Sequence, residues 1–221
     1  FVAMIIAGLV PAWRVRGWRK AFVVVGLALV AVVSYAANNV MAADRMFIAP
    51  RSVDMQPAER NKVDPARLVV GVEIDGQARA YPVQFIGYHH QVRDTVNGKP
   101  IMVSFCTVCR TGRVFRPIVD GKTEDFRLVG MDHFNAMFED RSTGSWWRQV
   151  NGQAVAGPRK GIVLTELPSR QTTLAAWLAL LDFAGLDTRF ASATMWAAQT
   201  GVTPPWSGEV VLVAIDEATQ K

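Results

Sequence analysis

Four dipeptides of one kind, Asp75-Gly76, Asn97-Gly98, Asp120-Gly121 and Asn151-Gly152, punctuate the middle of this chain of 221 residues. Each pairs a residue that tolerates positive φ with glycine, the chemistry that tight hairpin turns demand. Short runs rich in β-branched residues flank them: LVVGVEI and QARAYPV around the first, PIMVSF after the second, RVFRPIV and EDFRLVG around the third, SWWRQV before the fourth. Turns at this spacing predict a mainly β core of short antiparallel strands, a sandwich or partly closed barrel, and not alternating βα units. One helix is expected later, in TTLAAWLALLDFAG, capped near Ser169 or Thr172 and ended by Gly185.

Ahead of the β region the composition changes. Half of all residues are apolar, and the excess is concentrated in FVAMIIAGLVPAW and in Ala21 to Ala37, an uncharged run. As a helix that run reaches about 25 Å, near the lower limit for crossing a bilayer. Between the two runs, RVRGWRK gathers Arg14, Arg16, Arg19 and Lys20, the charge bias of a cytoplasmic loop, with Trp13 and Trp18 at headgroup depth. The expected organisation is therefore the end of a first membrane helix (1–13), a basic cytoplasmic loop (14–20) and a transmembrane helix (21–38). A connector (39–66), a β-rich extracytoplasmic domain (67–168) and a helical or irregular extension (169–208) follow. A signal peptide is the competing reading, opposed by the apolar sequence before the basic loop. VVLVAID at 210–216 matches VVGVEID at 69–75 in five of seven positions, so 209–221 is read as the possible start of a second β unit.

This places the chain in the bacterial cytoplasmic membrane, its C-terminal domain on the periplasmic or extracellular side and the lipid bilayer its first partner. The net charge of +5 does not imply nucleic acid, because four of the cations belong to the membrane loop and no basic tract exists.

The two cysteines and all three histidines lie between His89 and His133. These residue types bind soft or borderline metals and carry redox chemistry. Cys106 and Cys109, three apart, act together only if the chain bends at Thr107-Val108. Their fates are a small-loop disulfide, a dithiol couple or thiolate ligands. Thioredoxin-type chemistry ranks lower, since β residues and not a helix follow the pair. Zinc-ribbon binding would want a second CxxC. If IGYHHQVRDT is a strand, only one of His89 and His90 faces a given site, and Asp94 is placed to orient that imidazole. MDHFNAMFED has a period of two. It sets Met131, His133, Asn135, Met137 and Glu139 on one face and Phe134, Ala136 and Phe138 on a core face. Thioether, imidazole and thiolate together are a ligand set that suits copper; gap-filling against aromatics is the structural alternative for each methionine. Asn135 joins Asp94 as a supporting group. In GSWWRQ, Trp146 and Trp147 point to opposite faces, and with Arg148 they are candidates for docking a partner.

Taken in order, GVEIDGQARAYPVQFIGYHHQVRDTVNGKP, SFCTVCRTGRVF, FRLVGMDHFNAMFED and GSWWRQVNGQAVAGP resemble a bacterial and archaeal family known as domain of unknown function 3179. The resemblance runs from about Val69 to Pro168. It implies an extracytoplasmic domain, often behind an N-terminal anchor, with a histidine motif before the CxxC and often a second, similar half. It implies no reaction.

The leading expectation is a transition-metal site, copper before zinc, for metal handling or electron transfer. Cys106, Cys109 and His89 or His90 are its first ligands, and His133, Met131 and Met137 are candidates to complete it. A non-catalytic subunit of a membrane complex, possibly an energy-transducing one, is the alternative, and thiol–disulfide exchange the third. No Ser-His-Asp order, paired-carboxylate motif, nucleotide loop or flavin signal stands out, so whether the chain is an enzyme is left open.

Overall fold

The computed structural model describes residue 7, residues 17–60 and 62–181, and the backbone of residues 211–214. Most of the expected first membrane segment, and the extension after 181 apart from 211–214, lie outside these residues. The chain divides into two compact units, Phe1–Met46 and Phe47–Lys221.

In the first unit, α1 (Arg19–Tyr35) continues as a π-helical turn, Ala36–Val40. The side chains of Asn38 and Asn39 donate to the carbonyls of Ser34 and Tyr35, at 2.8 and 3.0 Å, where the helix widens. Lys20–Val40 is an apolar run of 21 residues with mean hydropathy 2.1 and none of its window buried. At 1.5 Å per residue it spans about 30 Å, enough for a bilayer core. Such a helix is compatible with a membrane anchor or with a signal sequence. A short helix, α2 (Ala43–Met46), ends the unit.

The second unit is mainly β and is built from open sheets, not a closed barrel. In the first sheet, β2 (Leu68–Ile74) and β3 (Gln77–Pro82) form the hairpin expected at Asp75-Gly76, where both turn residues have positive φ. β14 (Ser169–Thr173) pairs antiparallel with β2. β15 (Val211–Ala214) runs parallel to β3, and β1 (Asp54–Pro57) pairs antiparallel with β15. The middle sheet has the order β13 (Thr165–Leu167), β6 (Thr111–Arg116), β5 (Lys99–Cys106), β4 (Gln91–Val96). Asn97 and Gly98, both at positive φ, turn β4 into β5. The third sheet comprises β9 (Phe126–Asp132), β10 (Asn135–Asp140), β11 (Trp146–Arg148) and β12 (Ala154–Ala156). Asp120-Gly121 makes only a local hairpin of β7 (Ile118–Val119) and β8 (Lys122–Thr123).

Alternation along β5 explains the layering. Ile101, Val103 and Phe105 pack with Val70, Val72 and Tyr81 of the first sheet, together with Ile86 of α3 (Val83–His89). Ser104 and Cys106 point the other way and meet groups in the β11–β12 and β9–β10 turns of the third sheet, Gln149 and Phe134. With both faces covered, Ile101 to Cys106 form an unbroken buried run, and each large apolar side chain there contributes about 2 kcal/mol of burial. The opposite face of the first sheet is closed by Leu174 and Trp177 of α4 (174–181).

Three expectations about boundaries are corrected. The connector 39–66 is not merely irregular: it supplies β1, and Val53 and Met55 pack on the core. The β unit does not stop at 168, because β14 completes one side of the first sheet. The helix is capped by Thr173, whose hydroxyl accepts the Ala176 N–H at 3.2 Å, and not by Ser169 or Thr172. The echo of β2 at 211–214 is a strand in the same sheet as β2.

Candidate functional site: a dithiol loop on a buried amide chain

Cys106 is the last residue of β5 and pairs with Thr111, the first of β6. Residues 107–110 make the turn between them, with Arg110 at φ 52°. The bend expected at Thr107-Val108 is therefore present, and it brings the two sulfurs to one side of the loop. The Cys109 N–H donates to Cys106 Sγ at 3.4 Å, and the Cys109 thiol faces the Cys106 carbonyl at 3.9 Å. Cys106 is 1% exposed, whereas Cys109 is open to solvent. Neither is in a disulfide in this structure.

A second hairpin meets this loop. MDHFNAMFED is not one strand: β9 ends at Asp132, His133 and Phe134 form a two-residue turn at φ 47° and 62°, and β10 begins at Asn135. The sequence reading missed the turn because His-Phe lacks the Asn-Gly or Asp-Gly signature. The Cys106 thiol donates to the Phe134 carbonyl at 3.6 Å.

Beneath the sulfurs runs a chain of buried polar side chains. Asn135 Nδ2 donates to Cys109 Sγ and to Gln149 Oε1, both at 3.3 Å. Gln149 Nε2 donates to Ser104 Oγ at 3.2 Å and to the Thr111 carbonyl at 3.0 Å. Ser104 Oγ donates to the Arg113 carbonyl at 3.0 Å. Asn135 Oδ1 accepts the Val150 N–H at 2.9 Å. Gln149 and Ser104 are fully buried and Asn135 nearly so. Sequence reasoning had Asn135 but not Gln149 or Ser104, which carry no chemical signature on their own.

Desolvation of the sulfur pushes the Cys109 thiol up, and the adjacent Cys106 sulfur pushes it further; Asn135 and Thr111 pull it back only in part. Two sulfurs this close resist double ionisation unless something positive, or a covalent bond, joins them.

The histidines do not lie on a strand. His89 ends α3, and His90 follows in left-handed conformation, φ 60°. His89 Nδ1 bonds the Ile48 carbonyl, and His90 Nδ1 bonds the Phe105 carbonyl at 3.1 Å. A carbonyl can only accept, so both imidazoles carry hydrogen on Nδ1. Burial holds His90 below the ordinary histidine range, with the Phe105 carbonyl opposing. Its ring stacks edge-on against Phe47, centroids 5.1 Å apart.

Asp94 orients neither histidine. It accepts from Tyr81 Oη at 2.6 Å and from the Arg79 guanidinium at 2.5 Å, an ion pair between β3 and β4. His133 is 89% exposed and bonds only its neighbour Asp132 among the contacts described. Met131 is exposed, whereas Met137 is buried, so the two do not share a face. Ala136 and Phe138 are core as expected, but Phe134, at 76% exposed, is not. Trp147 is buried and donates Nε1–H to Asp140 at 2.8 Å, which removes it from any docking surface. Trp146 is exposed, its Nε1–H on Glu139, and Arg148 pairs with Asp132 at 2.7 Å. Among the described residues, no three His, Cys, Asp or Glu side chains form a group able to hold a metal ion.

A family model described as "Protein of unknown function (DUF3179)" matches residues 48–185. No curated protein and no solved structure matches the chain.

Proposed function

Because this chain belongs to the DUF3179 family, whose description assigns no reaction, its function rests on its own residues, and we propose a metal-handling role. In this reading the Cys106–Cys109 loop holds a soft transition-metal ion, copper(I) ahead of zinc. The domain is carried outside the cytoplasm behind the helix 20–40, with the basic segment before that helix on the cytoplasmic side.

One observation carries the reading: both sulfurs lie on one loop and each accepts an N–H, Cys106 from Cys109 and Cys109 from Asn135. A thiol sulfur is a weak acceptor and a thiolate a good one, so these donors strengthen once a metal ion displaces the protons that now face the Phe134 and Cys106 carbonyls. A cation between them offsets both the desolvation and the neighbouring Cys106 sulfur, which together raise the Cys109 thiol. Thiolates select soft copper(I). Zinc needs four ligands, and two sulfurs meet only half of that need. The open side of Cys109 suits passing the ion on rather than sealing it in.

The adjacency of the sulfurs also favours a second reading, a dithiol–disulfide couple. There the two thiols would give two electrons and two protons to a partner's disulfide, which becomes a dithiol.

The test uses the full chain in mild detergent, reduced and anaerobic, with copper(I) delivered against a chromophoric chelator. One equivalent should be retained, and the C106S/C109S variant should retain none. No retention by the reduced wild type would overturn the metal reading. A reversible two-electron midpoint of the metal-free protein in thiol buffers would then support the couple.

A further inference from the structure

We propose that Gln149 is a positioning residue for the dithiol loop: it fixes the Asn135 amide so that an N–H is always presented to Cys109 Sγ. The inference rests on the reading of the loop as a working sulfur site, whether it takes a metal or cycles as a couple.

The donors and acceptors along this chain leave a single arrangement. The Arg113 and Thr111 carbonyls can only accept. Gln149 faces Thr111 at 3.0 Å, so its NH2 must lie on that side, where it also reaches Ser104 Oγ. Ser104 has spent its own hydrogen on Arg113. The Gln149 oxygen is thereby turned toward Asn135 and needs a donor from it. At the other end, the backbone N–H of Val150 occupies Asn135 Oδ1. Both ends force the Asn135 NH2 toward Gln149 and Cys109, one hydrogen to each. Flipping either amide would set carbonyl against carbonyl in a site closed to water, at a cost of several kcal/mol. The direction of the chain is thus dictated by two backbone carbonyls of β6 in the middle sheet, and its free end is an N–H on sulfur. A purely structural bridge between two sheets has no need to end on the solvent-accessible cysteine of the pair.

The experiment measures alkylation of Cys109 in the metal-free full chain at one fixed pH, with iodoacetamide and site mapping by mass spectrometry. Cys109 in Asn135→Ala and Gln149→Leu should react about fivefold more slowly than in wild type, because the donor favouring the thiolate is lost or no longer held. Ser104→Ala is equally buried but leaves Gln149 held by Thr111, and it should react at close to the wild-type rate. Asn135→Asp keeps the shape, replaces the donor by an acceptor and should be slowest; it carries the test if Gln149→Leu does not fold. A folded Gln149→Leu reacting at the wild-type rate would overturn the inference, as would folded Asn135→Asp and Asn135→Ala doing so, or Ser104→Ala slowing as much as Gln149→Leu. Because no metal is present, this result is independent of copper retention.

Discussion

Trp147 donates its indole N–H to Asp140 across 2.8 Å, and both side chains are sealed from water. The ring also stands edge-on to Phe126, centroids 5.6 Å apart, so one residue joins β9, β10 and β11. Trp147→Phe removes volume and leaves a carboxylate oxygen short of a donor. The expected loss is about 3 kcal/mol, read as a lower urea midpoint with an unchanged slope.

Arg159 lies against two buried carboxylates, Glu124 at 2.6 Å and Asp140 at 3.4 Å. Burial pushes Asp140 up, but Trp147, Thr143 and Arg159 together hold it below the usual range. Glu124 follows the same balance, with Arg159, Ser142 and the Asp125 N–H overcoming burial. Both folded values lie below the unfolded ones, so this stability is fully present above about pH 4.5. It is lost as pH falls through the folded values. Melting temperature should therefore drop steeply in that acid range. Arg159→Leu should cost about 3 kcal/mol at pH 7 and weaken that dependence, chiefly through Glu124, for which Arg159 is the main stabilising partner, while Trp147 and Thr143 still hold Asp140. A parallel pair of melting curves against pH checks both parts.

What could be read from the sequence follows from which signals are local. Asp75-Gly76 and Asn97-Gly98 declare their turns through backbone chemistry confined to two residues, and those hairpins stand where expected. His133-Phe134 makes the same kind of turn without that chemistry, so the strand pattern runs through it unbroken on paper. A bend at Thr107-Val108 is the condition for Cys106 and Cys109 to act together, and the chain does turn over 107–110. Gln149 and Ser104 were not legible, because an amide and a hydroxyl acquire a role only when two sheets close over them. His89 and His90 were misplaced for a related reason: VQFIGYH, Val83–His89, folds as a single short helix held by packing of Ile86 in the core, with His90 just past its end, too short for a helical period to show.

Gly112 sits just past the dithiol loop, and its N–H donates to Gln171 Oε1 at 2.8 Å. A Cβ added there would lie 2.4 Å from Val70 Cγ2, inside any tolerable contact, with Val70 fixed in the core. Gly112→Ala must therefore push β6 away from β2, which strains the loop that holds Cys109. We expect a loss of about 2 kcal/mol and faster hydrogen exchange at 107–112, with the third sheet unaffected.

His133 and Phe134 occupy a turn in which both central residues have positive φ, a conformation that costs a bulky L residue about 1 kcal/mol or more. At three other turns with positive φ at both residues the chain spends Asp-Gly or Asn-Gly. Phe134 gains nothing from burial here, since most of its ring faces water, and the His133–Asp132 contact is at the surface, where such pairs contribute little. The joint substitution His133→Asn, Phe134→Gly should therefore stabilise the fold by about 1–2 kcal/mol. It leaves Cys106, Cys109 and the Asn135 donor unchanged, so copper(I) retention should stay within a factor of about two, well inside 1 kcal/mol. Urea unfolding and chelator competition on the same preparation measure the two effects. A destabilised variant would mean that the exposed rings pack against something, and weakened retention would mean that the turn's side chains reach the metal.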